Sequence, residues 1–153
     1  MLDKYAFTPG ETIKGKVGLK LKKPIQARKL TVALVGIRII RQSGMPMAHG
    51  HHGAQQDQVY NIYHFEIPLD GENVYLSELY TFEIKIPADI MKSTQQPTAS
   101  AYPTTGLGGK LAELAKAAEA IALVNSRIEW SVEAKLDVPM NVDIRGLQKI
   151  VIS

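Results

Sequence analysis

Apolar and polar positions first fall into register at Ile13, Val17, Leu19 and Leu21, which are odd positions interleaved with Lys14, Lys16, Lys20 and Lys22. A two-residue period sends alternate side chains to opposite faces, so this stretch predicts a strand with one dry face and one wet one. Thr8-Pro9-Gly10-Glu11 ahead of it suits a type II turn, with proline presetting the second position and glycine supplying positive φ at the third. Pro24 ends the strand. Leu30, Val32 and Leu34 repeat the alternation, Gly36 signals a bulge or a close backbone approach, and Ile37, Ile39 and Ile40 extend the run.

Residues 58–67 are rich in β-formers, with apolar side chains at both parities around Tyr60, Tyr63 and His64. Tyr80, Phe82, Ile84 and Ile86 then alternate with polar residues up to Pro87. Ile128, Trp130, Val132, Ala134, Leu136 and Val138 do the same up to Pro139. That parity assigns Trp130 to the core. A short last strand is expected within 147–152. Six or seven half-buried strands without helical crossovers between most of them predict a mainly β chain folded as an antiparallel sandwich.

One segment breaks the period. In 109–126, Leu111, Leu114, Ala115, Ala118, Ile121 and Ala122 recur at offsets of three and four, which predicts an amphipathic helix of about four turns. The Pro/Thr/Ser/Gly-rich stretch before it reads as an exposed loop, as does "SGMPMAHGHHGAQQDQ" at 43–58. No repeat or boundary divides the chain. The expected organisation is one domain over 1–153, with a flexible loop at about 43–58 and an inserted loop plus helix at about 91–126.

Composition narrows the function. With 153 residues and no cysteine, disulfides and thiol chemistry are excluded. No apolar run approaches the roughly 20 residues that span a bilayer. No apolar signal segment stands at Met1, and a cytoplasmic location is the expectation. Residues 1–30 carry eight Lys/Arg against two acidic residues. Without an arginine-rich tract or interleaved aromatics, nucleic acid is not an expected partner, whereas peripheral contact of the lysine row with a membrane surface is an alternative.

Candidate chemistry is sparse. Met45, Met47, His49, His51 and His52 fall within eight residues, and imidazole with thioether could ligate copper, nickel or zinc, so His49, His51 and His52 are the candidate ligands of a metal-binding alternative. "TTGLGGKLAE" at 104–113 fails as a phosphate loop, because Thr104 stands where glycine is required and Leu111 where Ser or Thr is. No nucleophile elbow or converging acid–base set is present, so neither catalysis nor a cofactor is expected.

Three stretches, 5–43, 59–90 and 127–152, taken together, resemble the arrestin-like superfamily, the β-sandwich shared by arrestins, the retromer's arrestin-like subunit and bacterial sporulation-control proteins. Pro9, Gly10, Glu11, Ile13, Gly15 and Val17 are similar to the family's entry turn and strand. "ARKLTVALVGI" at 27–37 is similar to the strand that follows. "YTFEIKIPADI" at 80–90 and "IEWSVEAKLDVPMNVDIRGLQKIVI" at 128–152 are similar to the later ones. The strand that would precede the turn is reduced to Leu2–Tyr5, so phosphate recognition by receptor-binding arrestins is not carried over.

The resemblance implies an immunoglobulin-like sandwich of the arrestin N-domain type with one inserted amphipathic helix. It also implies a non-enzymatic interaction or scaffold module that recognises protein partners through strand edges and end loops. The residues expected to meet a partner, or a second copy of the chain in a homo-oligomer, are Leu111, Leu114, Ala118 and Ile121 of the helix and Lys14, Lys16, Lys20 and Lys22 of the first strand.

Overall fold

The structure is a computed structural model that describes residues 1–41, 57–93 and 126–153. The predicted helix with Leu111, Leu114, Ala118 and Ile121, and the His49, His51 and His52 loop, lie outside the described residues. The described elements are β1 (Ala6–Phe7), β2 (Thr12–Gly18), β3 (Ile25–Ala27), β4 (Lys29–Arg41), β5 (Asp57–Asp70), β6 (Asn73–Tyr75), β7 (Leu79–Lys85), the single turn of helix α1 (Ile90–Ser93), β8 (Ser126–Asp137) and β9 (Ile144–Ile152).

The strands form two layers. One is a five-stranded sheet in the order β1-β9-β8-β4-β5, and the other is built from the pairs β2-β7 and β3-β6. Backbone hydrogen bonds from the Leu19 N–H to the Glu78 carbonyl and from the Leu21 N–H to the Leu76 carbonyl carry the β2–β7 ladder on towards β3–β6. Pairing is antiparallel throughout except for β1, which runs parallel to β9, a departure from the purely antiparallel expectation.

The entry turn forms as its residue types require. Gly10 has φ of 90°, a region that costs an L side chain energy, and the Glu11 N–H donates to the Thr8 carbonyl. Glu11 also returns the bond, its carboxylate accepting from the Thr8 N–H at 2.7 Å and from Lys4 Nζ at 2.8 Å. These hydrogen bonds, Lys4 first, hold the Glu11 carboxyl below its usual range.

The core lies between the layers. Val32 and Leu34 of β4, Trp130 and Val132 of β8, and Ile13 and Ile84 of the facing pair are all buried in one cluster. Gly36 sits directly opposite Trp130 in the β4–β8 register, and a Cβ added to it would stand 2.5 Å from the indole ring. The indole occupies the space that a side chain at 36 would need. The β4–β5 register also shifts between Gly36 and Ile37, so both readings of this glycine hold. Tyr63 of β5 completes the corner, its ring edge-on to Trp130 at 5.9 Å. A second cluster gathers Ala27, Leu30, Tyr75, Leu136 and Val138 at the β3–β6 end.

The structure moves several expected boundaries. β5 begins at Asp57, inside the segment read as loop 43–58, and runs to Asp70. β9 begins at Ile144 rather than 147, and β8 begins at Ser126, where the inserted segment was expected to end. β1, β3 and β6 have two or three residues each, too few for any period to show.

Candidate functional site

The first residues stitch the two layers together. The Met1 ammonium donates to the Lys16 carbonyl, the Lys16 N–H donates to the Met1 carbonyl, and Leu2 bridges Gly15, so Met1–Asp3 run antiparallel along β2. The chain then crosses to the other sheet, where the Val151 N–H donates to the Tyr5 carbonyl and β1 pairs with β9. Gly15 makes the crossing possible, because a Cβ there would lie 2.8 Å from both the Met1 carbonyl oxygen and a Leu2 methyl.

Beyond this stitch no further strand lies along this side of the sandwich among the described residues. Just past β2, Leu19 and Leu21 continue its ladder by bonding Glu78 and Leu76, so extended geometry turns the N–H and C=O of Gly18 and Lys20 the other way. No backbone partner stands there among the described residues. On the opposite layer, β1 covers only Val151 and Ile152, so Arg145, Leu147 and Lys149 of β9 also present an edge unpaired among the described residues. Between the two edges lies a cavity of about 460 Å³. Its floor is apolar, formed by Val17, Leu19, Leu21, Leu136 and Ile144 among others, and its rim carries Lys16, Lys20 and Arg145, with no carboxylate among the described residues that line it.

The lysine row divides by location. Lys14 is paired to Glu83 across the β2–β7 ladder at 2.9 Å, and that hydrogen bond raises its pKa. Lys16 and Lys20 make no ion pair among the described residues and border the cavity, while Lys22 is exposed in the bend before β3. Ile144, Arg145 and Gly146, which complete the opposite wall, were missed because the last strand was expected only from 147. The signal available was Asn141-Val142-Asp143, a turn-forming run that already separates Val138 from a new strand.

Several other charges are paired, Arg145 on the rim itself with Asp143 at 3.5 Å. Arg28 bonds Asp137 at 2.5 Å, and Glu129 takes Lys149 at 2.6 Å and Arg127 at 2.9 Å. These hydrogen bonds hold both carboxyls below their usual range, through Arg28 for Asp137 and through Lys149 first for Glu129. His64 lies exposed on β5 opposite Val35. No group of three His, Asp or Glu side chains able to hold a metal occurs among the described residues, and none of their helices is long and apolar enough to cross a membrane.

Comparison with known proteins bears on the fold. Neither a scan against protein-family models nor a search of curated proteins finds a match. Among solved structures the chain is similar to Spo0M, a sporulation control protein from Bacillus subtilis, with a TM-score of 0.58 and 16% sequence identity over the whole of this chain. The match spans 47% of the Spo0M chain, so this sequence covers about half the length of that protein. The likeness, with the layers described above, gives the chain an arrestin-like β-sandwich fold.

Proposed function

We propose that the chain is a non-enzymatic interaction module of the arrestin-like type, an adaptor or scaffold that recognises another protein. One observation carries this reading, namely the side of the sandwich where, among the described residues, two unpaired strand edges flank an apolar cavity. Unpaired N–H and C=O groups beside apolar surface are what strand addition uses, and folds that bind nothing there normally blunt or cover such edges.

Ile144 tests the reading. It is on the cavity wall and 37% exposed, so Ile144→Asp alters the surface at small cost to the fold. Full-length chain, wild type and Ile144→Asp, is used for quantitative affinity capture from its own cells. A partner retained by the wild type and depleted by the substitution supports the module. A binding profile identical for the two proteins refutes it at this surface.

A further inference from the structure

Resting on that reading, we infer that the edge at Gly18–Lys20, where β2 ends, takes an extended peptide in which acidic and apolar residues alternate. Three features of the site fix those requirements together.

The first is the backbone. The outward N–H and C=O of Gly18 and Lys20 continue the line of hydrogen bonds that Lys14 and Lys16 make with Met1 and Asp3. A peptide added there lies in line with Met1–Asp3 and antiparallel to β2, which requires it to be extended.

The second is the inner face. Side chains of adjacent strands share faces pairwise, so the peptide residue opposite Leu19 points with Leu19 into the cavity. There it meets Leu21, Leu136 and Ile144, and about 460 Å³ of space, within the range of ligand-binding cavities. Apolar side chains fit this position.

The third is the outer face. Residues opposite Gly18 and Lys20 share the side on which the lysine row stands. Gly18 has no side chain, so a residue opposite it is flanked diagonally by Lys16 and Lys20, neither of which has an ion-pair partner among the described residues. A Glu or Asp at that position meets two free ammonium groups, and one opposite Lys20 meets the second of them directly. A lysine there is repelled. The same lysines deter non-specific edge pairing, so the edge is closed to most strands and open to an acidic one.

Calorimetric titration of the full chain tests this with three acetylated and amidated octapeptides. The first alternates Val and Glu, the second has the same composition in two blocks, and the third alternates Val and Lys. Binding of the alternating acidic peptide at least tenfold tighter than both others, weakening as salt is raised, is the expected result. Gly18→Pro keeps every charge and every β2–β7 bond but deletes one outward N–H, and should weaken that binding at least tenfold with the circular dichroism spectrum unchanged. Lys16→Glu/Lys20→Glu should transfer the preference to the Val–Lys peptide.

Equal affinity for the three peptides, no binding of any, or indifference to both variants overturns the inference. If the chain still captures a partner sensitive to Ile144→Asp while ignoring the peptides, the module stands and only its peptide chemistry is wrong. Loss of both removes the module as well.

Discussion

Strand β9 passes through two environments, and the contrast between them separates what this sandwich spends on folding from what it leaves for binding. Ile150 faces Trp130 in the sealed part, where β4, β8 and β5 are packed against the β2–β7 pair, and is 6% exposed. Ile144, six residues earlier on the same face of the same strand, is 37% exposed beside the cavity. Both obey the same alternation, yet among the described residues only one has a strand above it. An inward-facing apolar residue is buried by the opposing layer, not by its own pattern, and on this side the described part of that layer stops at the edge of β2.

The largest effect expected from breaking this contrast lies at the sealed corner. Trp130→Ala removes the buried ring that fills the space over Gly36 and touches Tyr63, and should cost about 3–5 kcal/mol in urea unfolding. Gly36→Ala attacks the same contact from the other strand. With only 2.5 Å available to the added carbon, indole or backbone must move, at a cost of about 1–3 kcal/mol. If the two losses simply added in the double variant, the glycine and the ring would not be sharing one space, and the account of this corner would fail. Gly10→Ala should follow at about 1–2 kcal/mol, because alanine must adopt a φ of 90° to keep the turn.

These three sites also show what could be read from the sequence. Gly10 was legible because proline and glycine in that order leave few backbone choices, and Trp130 because five alternating partners fixed its parity. The fold class followed from those alternations. The short strands were not legible, since Ile25–Ala27 and Asn73–Tyr75 hold no complete pattern and form because β2 and β7 deliver them side by side. Arg38 was equally hidden, a 2% exposed arginine at a parity that otherwise carries core residues. For the candidate site, the lysine row and the expectation that strand edges meet a partner were visible. The cavity was not, because alternation tells which face is dry without telling whether a second strand covers it. Arg28–Asp137, 109 residues apart, is likewise a product of topology alone.

Charge sharpens the comparison further, since Glu129 and Asp137 outside the open side are ion-paired while Lys16 and Lys20 on its rim have no ion pair among the described residues. Asp70, held by the Tyr80 hydroxyl at 2.6 Å, joins Glu129 and Asp137 in having a pKa below its usual value. A carboxyl depressed in the fold stabilises fully above its unfolded value of about 4, and that stabilisation drains away as pH falls through the folded value. Urea midpoints should therefore hold from pH 7 to 5 and decline below pH 4. Asp137→Asn should flatten part of that decline, and Lys20→Gln should leave its slope unchanged. A slope that responds to Lys20 and not to Asp137 would place the paired charges on the wrong side of the molecule.

The smallest effect, that of Ile144→Ala, is the most discriminating once it is set beside Ile150→Ala, because the pair compares one residue type with itself. Ile150→Ala empties a sealed position and should cost about 2–4 kcal/mol, whereas Ile144→Ala trims a side chain that still meets solvent and should cost about 1 kcal/mol or less. Both values come from the same denaturant titration of the same strand. Should Ile144→Ala prove as costly as Ile150→Ala, the cavity would be part of the core, and the apolar floor beside Gly18–Lys20 would be explained by folding with nothing left over for a partner. A small loss at Ile144 means instead that its apolar surface contributes little to the isolated chain, which leaves that surface free to contribute when an added strand covers it.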